Sequence, residues 1–347
     1  MAENENFGYE GCTLTVKTSD VDNKVTFAPF AKDEKQIDIP VQDVNPDPGL
    51  IYALAVAAAG RHHVLVYGQP LKGRDFITAK ITQFMPNLMA EEQLSVNRIY
   101  SIAGLLKPNQ KIIQRPFRMP HPTASIEGMC GGGAQCLPGE VSFAHNGVLF
   151  LKDTLEFKTS VLQMLNVPMR NGNISLSRAG RTTVYPADLQ LVMTTNPCPC
   201  GNHGSSDKIC LCSMDSIRQY WKKLPAALTE MVGIRYNTDN KIAPMFYGFD
   251  DLRARVKNAV KKQLDRQGKF NQQLTDDEVN NLQITSMANA SLESATIRYG
   301  FSAKEVLSIK RVARTILDMK DGNWTEIGLP SMSYAISLHA TFPEAIR

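Results

Sequence analysis

The chain has 347 residues, 43% hydrophobic and 21% charged, with a formal net charge of +4. These values describe an ordinary globular protein of two domains or subdomains, and so mild a basic bias makes no case for nucleic acid by charge alone. No basic-then-apolar leader opens the chain, its longest apolar stretch, LIYALAVAAA (50–59), is far too short for a bilayer, and seven cysteines, four of them clustered, point to a reducing cytoplasm. Residues 12–42 alternate apolar and polar (CTLTVKT, KVTFAPF, QIDIPV), which predicts a small β extension of two or three strands over 1–42. NPDPG (45–49) then breaks the chain before an Ala-rich helix at 50–59. From 43 to 246 the pattern is α/β, with buried-type strands at HVLVYG, GVLFL and LQLVMTTN and a hairpin at 171–186 with Gly180 near its turn. No convincing strand follows 247. Leu252, Val256, Val260 and Leu264 at four-residue steps predict an amphipathic helix, and 302–319 predicts another. The expected fold is α/β, a parallel sheet with helices on both faces, followed by an all-α domain over 247–347.

Two local patterns carry chemistry. VLVYGQPLKGRDF (64–76) has the strand–loop–helix context of a phosphate-binding loop, G-x-x-x-x-G-K-[ST], with Gly68 and Gly73 at the required spacing. Where that loop needs Lys to reach the phosphates and a hydroxyl to hold Mg²⁺, this chain has Arg74 and Asp75. Arg74 keeps the charge but brings a longer, planar fork, and Asp75 is a carboxylate in place of a neutral ligand. The second pattern is CPCGNHGSSDKICLC, which spaces Cys198, Cys200, Cys210 and Cys212 as C-x-C, nine residues, C-x-C. Four thiolates suit a tetrahedral structural Zn²⁺, with His203 as a spare ligand, although the spacing is tighter than usual. Small residues packing a loop are the alternative. Cys12, Cys130 and Cys136 read as ordinary buried residues.

Five stretches in order, DVNPDPGLIYALAVAAAGRHHVLVYG (43–68), RPFRMPH (115–121), GGGAQCLPGEVSFAHNGVLFL (131–151), SRAGRTTVYPADLQLVMTTNPCPCG (177–201) and RVARTILD (311–318), resemble the magnesium-chelatase-like AAA+ proteins of the ComM/YifB type. The resemblance runs from about 43 to 338. It implies a P-loop-type core, a helical lid, ring assembly and action on DNA during transformation, with a Lon-protease-like domain ahead of the core that this chain lacks. It also implies functional positions, several of which are altered. The Asp-Glu pair expected after GVLFL is Lys152-Asp153 here, and the residues Gln69, Pro70, Leu71 and Lys72 replace a small, Gly-containing loop. The polar sensor Asn196 is intact. Met231 stands at the arginine-finger position, Lys304 at the lid's sensor arginine, and Arg235 is either a displaced finger or a surface arginine. A cysteine arrangement similar to 198–212 belongs to the same resemblance.

Loss of so many parts together implies a degenerate site at which ATP/Mg binds without hydrolysis or not at all. Lys152 is expected to pair with Asp75 in the space of the magnesium ion, on the premise that their strands are neighbours in the sheet. Such a pair would be worth a few kcal/mol against loss of one partner. Arg115, Arg118, Arg178 and Arg181 are candidate phosphate contacts for DNA. Residues 251–275 hold seven Lys/Arg against two Asp, which read as a solvated helix face without the aromatic residues that single-strand stacking needs. Three functions fit: a catalytically dead subunit of a ring, hexameric in form, built with an AAA+ paralogue or with itself; an active DNA-translocating ATPase with an unorthodox site; or a nucleic-acid-binding scaffold that keeps the fold only. The first has an analogy in magnesium chelatases, whose ring pairs an active subunit with a degenerate one.

Overall fold

Among the described residues, nine strands fall into three sheets: β1 (His63–Tyr67), β2 (Phe117–Arg118), β3 (Gly131–Gly132), β4 (Leu137–Pro138), β5 (Val148–Leu151), β6 (Asn173–Arg178), β7 (Arg181–Pro186), β8 (Gln190–Thr195) and β9 (Val232–Asn237). The computed structural model describes residues 47–340 apart from 70–72, 108, 179, 206, 240–241 and 247, with only the backbone of 181; the β extension expected over 1–42 lies outside them, as do Cys12 and the loop residues Pro70, Leu71 and Lys72. The main sheet has the order β2-β5-β8-β1-β9 and is parallel throughout. Parallel strands covered on both faces need continuous apolar runs, and β1, β5 and β8 are buried at every position.

The sheet separates two cores. Val64, Val66, Ile234 and Tyr236 face the helix Pro48–Gly60, together with Leu252, Val256, Val312 and Ile316 from the helical region. Leu65, Tyr67, Leu149, Leu151 and Met193 face the other side, against Trp221 and Leu162. The helix Pro48–Gly60 is buried along most of its length, which is why its Ala-rich sequence suits it: eleven of its thirteen residues are buried, and small side chains let neighbours approach on every face. Asp47 caps it, accepting from the Gly49 N–H at 3.0 Å, and Pro48 opens its first turn.

After residue 247 the described chain is helical, with only an isolated bridge between Ile284 and Ile327. Phe249–Gln267 buries Leu252, Val256 and Val260 as their spacing predicts, and Ala303–Asp318 is the second expected helix. Ser286–Tyr299 and Leu329–Ala340 complete the bundle. The chain is therefore α/β with a helical lid. Two points differ from the sequence reading. VGIRYN, which follows Met231 and was not read as a strand, is the edge strand β9. And β8 lies between β1 and β5, so the strands carrying Asp75 and Lys152 are not neighbours but two spacings, ~9.6 Å, apart.

Candidate functional site

In an open parallel sheet the carboxyl ends of the strands share one crevice, and side chains from separate strand–helix junctions converge there. Here that crevice receives Gly68 after β1, Lys152 and Asp153 after β5, Asn196 after β8 and Asp239 after β9. Gly68 has φ +126°, and a Cβ on it would lie 2.2 Å from Thr238 Oγ1, so only glycine lets this loop pass so close to the β9 end. Gly73, at φ +89°, turns the chain into the short helix Arg74–Ala79.

Arg74 occupies the centre of the crevice. It is buried, and its Nη1 donates to the carbonyl oxygens of Gly68 (3.1 Å) and Thr195 (3.0 Å) and to Asn196 Oδ1 (3.3 Å). Its Nε donates to Asp75 Oδ1 at 3.2 Å, and Nη2 stands 3.8 Å from Asp153 Oδ1. Lys152 Nζ lies 3.7 Å from Asp75 Oδ2, within the ~4 Å of an ion pair. The two side chains meet although β8 separates their strands, because both lean over its end. Burial, and then the Asp75 carboxylate, raise the Asp153 carboxyl above its ordinary range, opposed by Arg74 and Lys152.

One participant has no counterpart in the sequence reading. The Asp239 carboxylate accepts from the Gln69 backbone N–H at 3.2 and 3.3 Å. That N–H belongs to the loop whose amides would otherwise face phosphate, so an internal anion sits on the cradle's first donor. Burial raises the Asp239 carboxyl. No local pattern around Asp239 marks it, since its partner lies 170 residues away.

The remaining expected positions are dispersed. Met231 ends the helix Ala226–Met231, and Lys304 pairs with its neighbour Glu230 at 3.2 Å on the surface. Arg235 is neither a free finger nor a surface residue: it lies buried on β9 with Glu305 of the lid at 2.6 Å and the Thr229 carbonyl at 3.0 Å. Two proposed phosphate contacts also need correction. Arg115 is committed to Glu92 by a two-pronged pair (2.9 and 2.8 Å) and to the carbonyls of Pro86 and Asn146. Arg118 grips both oxygens of Glu140 at 2.6 Å. Both are buried, and a buried guanidinium already holding a carboxylate is not free to bind DNA. Arg178 is exposed and sits directly opposite Arg181 in the β6–β7 register, beside the turn at the hairpin tip.

The four cysteines converge. Their sulfurs all lie within 4.8 Å of one another, with Cys198–Cys200 at 3.4 Å, Cys198–Cys210 at 3.7 Å and Cys200–Cys210 at 3.6 Å. A tetrahedral ion with Zn–S bonds of ~2.3 Å requires sulfurs ~3.8 Å apart, so the donor set fits zinc. The His203 backbone N–H donates to Cys198 Sγ at 3.3 Å, giving this residue a supporting part through its main chain. Beneath the loop, Trp221 Nε1 donates to the Pro197 carbonyl at 2.9 Å and its ring meets Tyr67 edge-on at 5.5 Å. The loop is thus anchored to the sheet at its base. Cys136 is buried and Cys130 partly so.

Comparison with known proteins agrees with this architecture. Residues 41–244 match the family described as magnesium chelatase, subunit ChlI, and residues 250–339 match the C-terminal part of that subunit. The chain is 33% identical to the uncharacterized protein YifB of Escherichia coli over 275 residues, 77% of this chain and 54% of that protein. It is 30% identical to the competence protein ComM of Haemophilus influenzae over 301 residues, 83% of this chain and 57% of that protein. An uncharacterized protein of Mycobacterium tuberculosis is 38% identical over 201 residues, 57% of this chain and 40% of that protein. The chain therefore spans about half the length of these curated relatives or less. With the sheet order, the lid and two family matches that follow each other along the sequence, the chain belongs to the magnesium-chelatase family, as a ComM/YifB-like member with an AAA+ core.

Proposed function

We propose that this chain is a catalytically degenerate AAA+ subunit that serves a structural or regulatory part in a ring assembly acting on DNA. The observation that carries the reading is Arg74: its guanidinium is turned inward onto carbonyls from two loops, while Lys152 and Asp75 pair nearby. Hydrolysis needs a loop cation on the β/γ-phosphates, a magnesium ion and a carboxylate oriented toward water. Here the first is turned inward, and a lysine stands where the magnesium-supporting acid is expected. Asp153 lies 3.8 Å from the same guanidinium. The hairpin tip with Arg178 and Arg181 supports the DNA part of the reading, and the buried Arg235–Glu305 junction supports a lid held in a fixed pose for assembly.

One experiment addresses both halves: phosphate release and particle mass, measured for the purified chain alone and mixed with an intact AAA+ homologue encoded in the same genome. The expected result is background hydrolysis alone, with a larger mixed particle of higher mass in which the homologue supplies turnover. Steady turnover by the chain alone that Asp153→Asn abolishes would show instead an active ATPase with an unorthodox site. A chain that neither hydrolyses nor joins the homologue or itself would leave the scaffold function.

A further inference from the structure

The lid helix Ser286–Tyr299 is fixed at both ends. The Thr285 hydroxyl accepts from the Ala288 N–H at 3.3 Å, and Gly300 closes the last turn in the left-handed conformation at φ +68°. Ala288, Leu292 and Ala295 are buried, and the helix packs on its neighbour Leu329–Ala340. The opposite face has no cover among the described residues: Met287, Ala290, Ser294 and Ile297 are all exposed, Met287 by 69% and Ile297 by 85%. Apolar side chains exposed singly are ordinary. These four instead follow one another at steps of three, four and three residues, within ~80° of the helix circumference. That is the spacing of a two-helix seam.

The flanking charges say what covers the seam. In a parallel pair packed on such a stripe, the residue before one seam position faces, on the other helix, the residue five positions further on. Glu293 precedes Ser294, and Arg298 is five residues beyond Glu293, so each copy's Glu293 meets the other copy's Arg298. Antiparallel packing of the same stripe would instead set Glu293 beside its own counterpart, two like charges. Both side chains are exposed and within reach of a partner. The Asn289 amide donates to Glu293 Oε1 at 2.7 Å and Arg298 lies over the Tyr299 ring at 5.3 Å, but neither charge forms an ion pair among the described residues.

We propose that the helix Ser286–Tyr299 pairs in parallel with the same helix of a second copy of this chain, along Met287, Ala290, Ser294 and Ile297. The small side chains of Ala290 and Ser294 let the two backbones approach, and Met287 and Ile297 close the two ends of the seam. Such a contact is isologous and joins chains two at a time, whereas a ring grows through heterologous contacts; the pairing therefore does not rest on the ring reading. Four layers make a small interface, so the association is weak, with Kd on the order of 10–100 μM.

The test is sedimentation velocity of the full chain, with concentration raised to about 200 μM, above that Kd. A reversible doubling of mass is expected, weakened at least about tenfold in Ile297→Glu, which sets a carboxylate against its own copy in the seam. Glu293→Arg and Arg298→Glu should each weaken it, and the two changes together should restore it, because the pair is only exchanged. All three positions are exposed, so every variant should keep the wild-type circular dichroism. Ring contacts lie on other faces and survive Ile297→Glu, so failure of the ring reading and failure of this pairing are read separately. A mass that does not rise with concentration, a dimer that Ile297→Glu leaves intact, or a double reversal no better than the single ones overturns the proposal.

Discussion

Arg74 and Lys152 are both cations in a former nucleotide site, and burial separates their energetic parts. Arg74 is 4% exposed and holds acceptors from two loops, so its removal leaves two buried carbonyls without their donor and Asp153 without its ion-pair partner. Breaking such a group costs about 3–5 kcal/mol. Lys152 and Asp75 are 36% and 28% exposed and stand 3.7 Å apart, a half-solvated pair. Pairs of that kind contribute about 0–1 kcal/mol, less than the few kcal/mol anticipated from sequence. In denaturant unfolding, Arg74→Ala should therefore destabilise far more than Asp75→Ala or Lys152→Ala, with a coupling between the latter two of less than about 1 kcal/mol. Equal losses in all three would refute this ranking. The Lys152–Asp75 pairing was legible because both side chains occupy positions with known partners in an intact site. That Arg74 would be the centre was not, because two of its four hydrogen-bond acceptors are backbone carbonyls, which no residue pattern encodes. Asp239 was invisible for the same reason.

At the scale of elements, legibility followed how far each segment signals by itself. β1, β5 and β8 each carry an apolar run, VLVY, VLFL and LVM, and the hairpin declares itself by Gly180 near its turn, so all four features were read at nearly their true bounds. β9 was missed: VGIRYN contains a glycine and a buried arginine, and only pairing with β1 and contact with the lid make it a strand. RPFRMPH gave two basic residues whose internal carboxylates, Glu92 and Glu140, lie 23 and 22 residues away, so burial could not be read from the stretch. The cysteine loop shows the opposite balance. Its spacing alone was ambiguous, whereas the folded chain brings four sulfurs together with no other ligand needed. One zinc ion per chain is expected on protein purified without chelator, measured by elemental analysis. Cys210→Ser should lower the zinc content and the melting temperature, since a structural ion contributes its binding energy to folding. Metal-free protein that melts at the same temperature as wild type would exclude a structural zinc.

Taken as a whole, the molecule joins its sheet to its lid through buried polar groups, and these set its response to acid. Arg235 on β9 holds Glu305 of the lid at 2.6 Å. Burial alone would raise that carboxyl, but hydrogen bonds from buried His339, from the Ser302 backbone N–H and from Arg235 hold it well below the ordinary carboxylate range. At the start of β1, His62 bridges Gln272 Oε1 (2.9 Å) and Thr315 Oγ1 (2.7 Å), both in the lid, and His63 Nδ1 accepts from the Leu191 N–H at 3.1 Å. His145 Nδ1 accepts from the Asp188 N–H at 3.1 Å. Burial lowers these imidazoles, His62 to about 3 and His63 and His145 to about 4, so all three are neutral in the fold. The sign follows from proton counting. In the unfolded chain each histidine takes up a proton below its ordinary value of 6.5 while the folded chain does not, so acid favours unfolding. Burial lowers His339 of the lid as well, so four histidines act together, each contributing a loss of about 1.4 kcal/mol per pH unit until pH approaches its folded value. Glu305 works in the same direction lower down, since its contribution is complete above the unfolded carboxylate range and is lost as pH falls below it. Stability from urea unfolding should thus be nearly flat above about pH 7 and fall by roughly 5 kcal/mol per unit below about pH 6. His62→Gln, which keeps a side chain able to bond Gln272 and Thr315, should remove about a quarter of that slope while leaving the plateau little changed. A slope unchanged in this variant would mean that His62 is protonated in the fold, and that the junction between sheet and lid tolerates a charge.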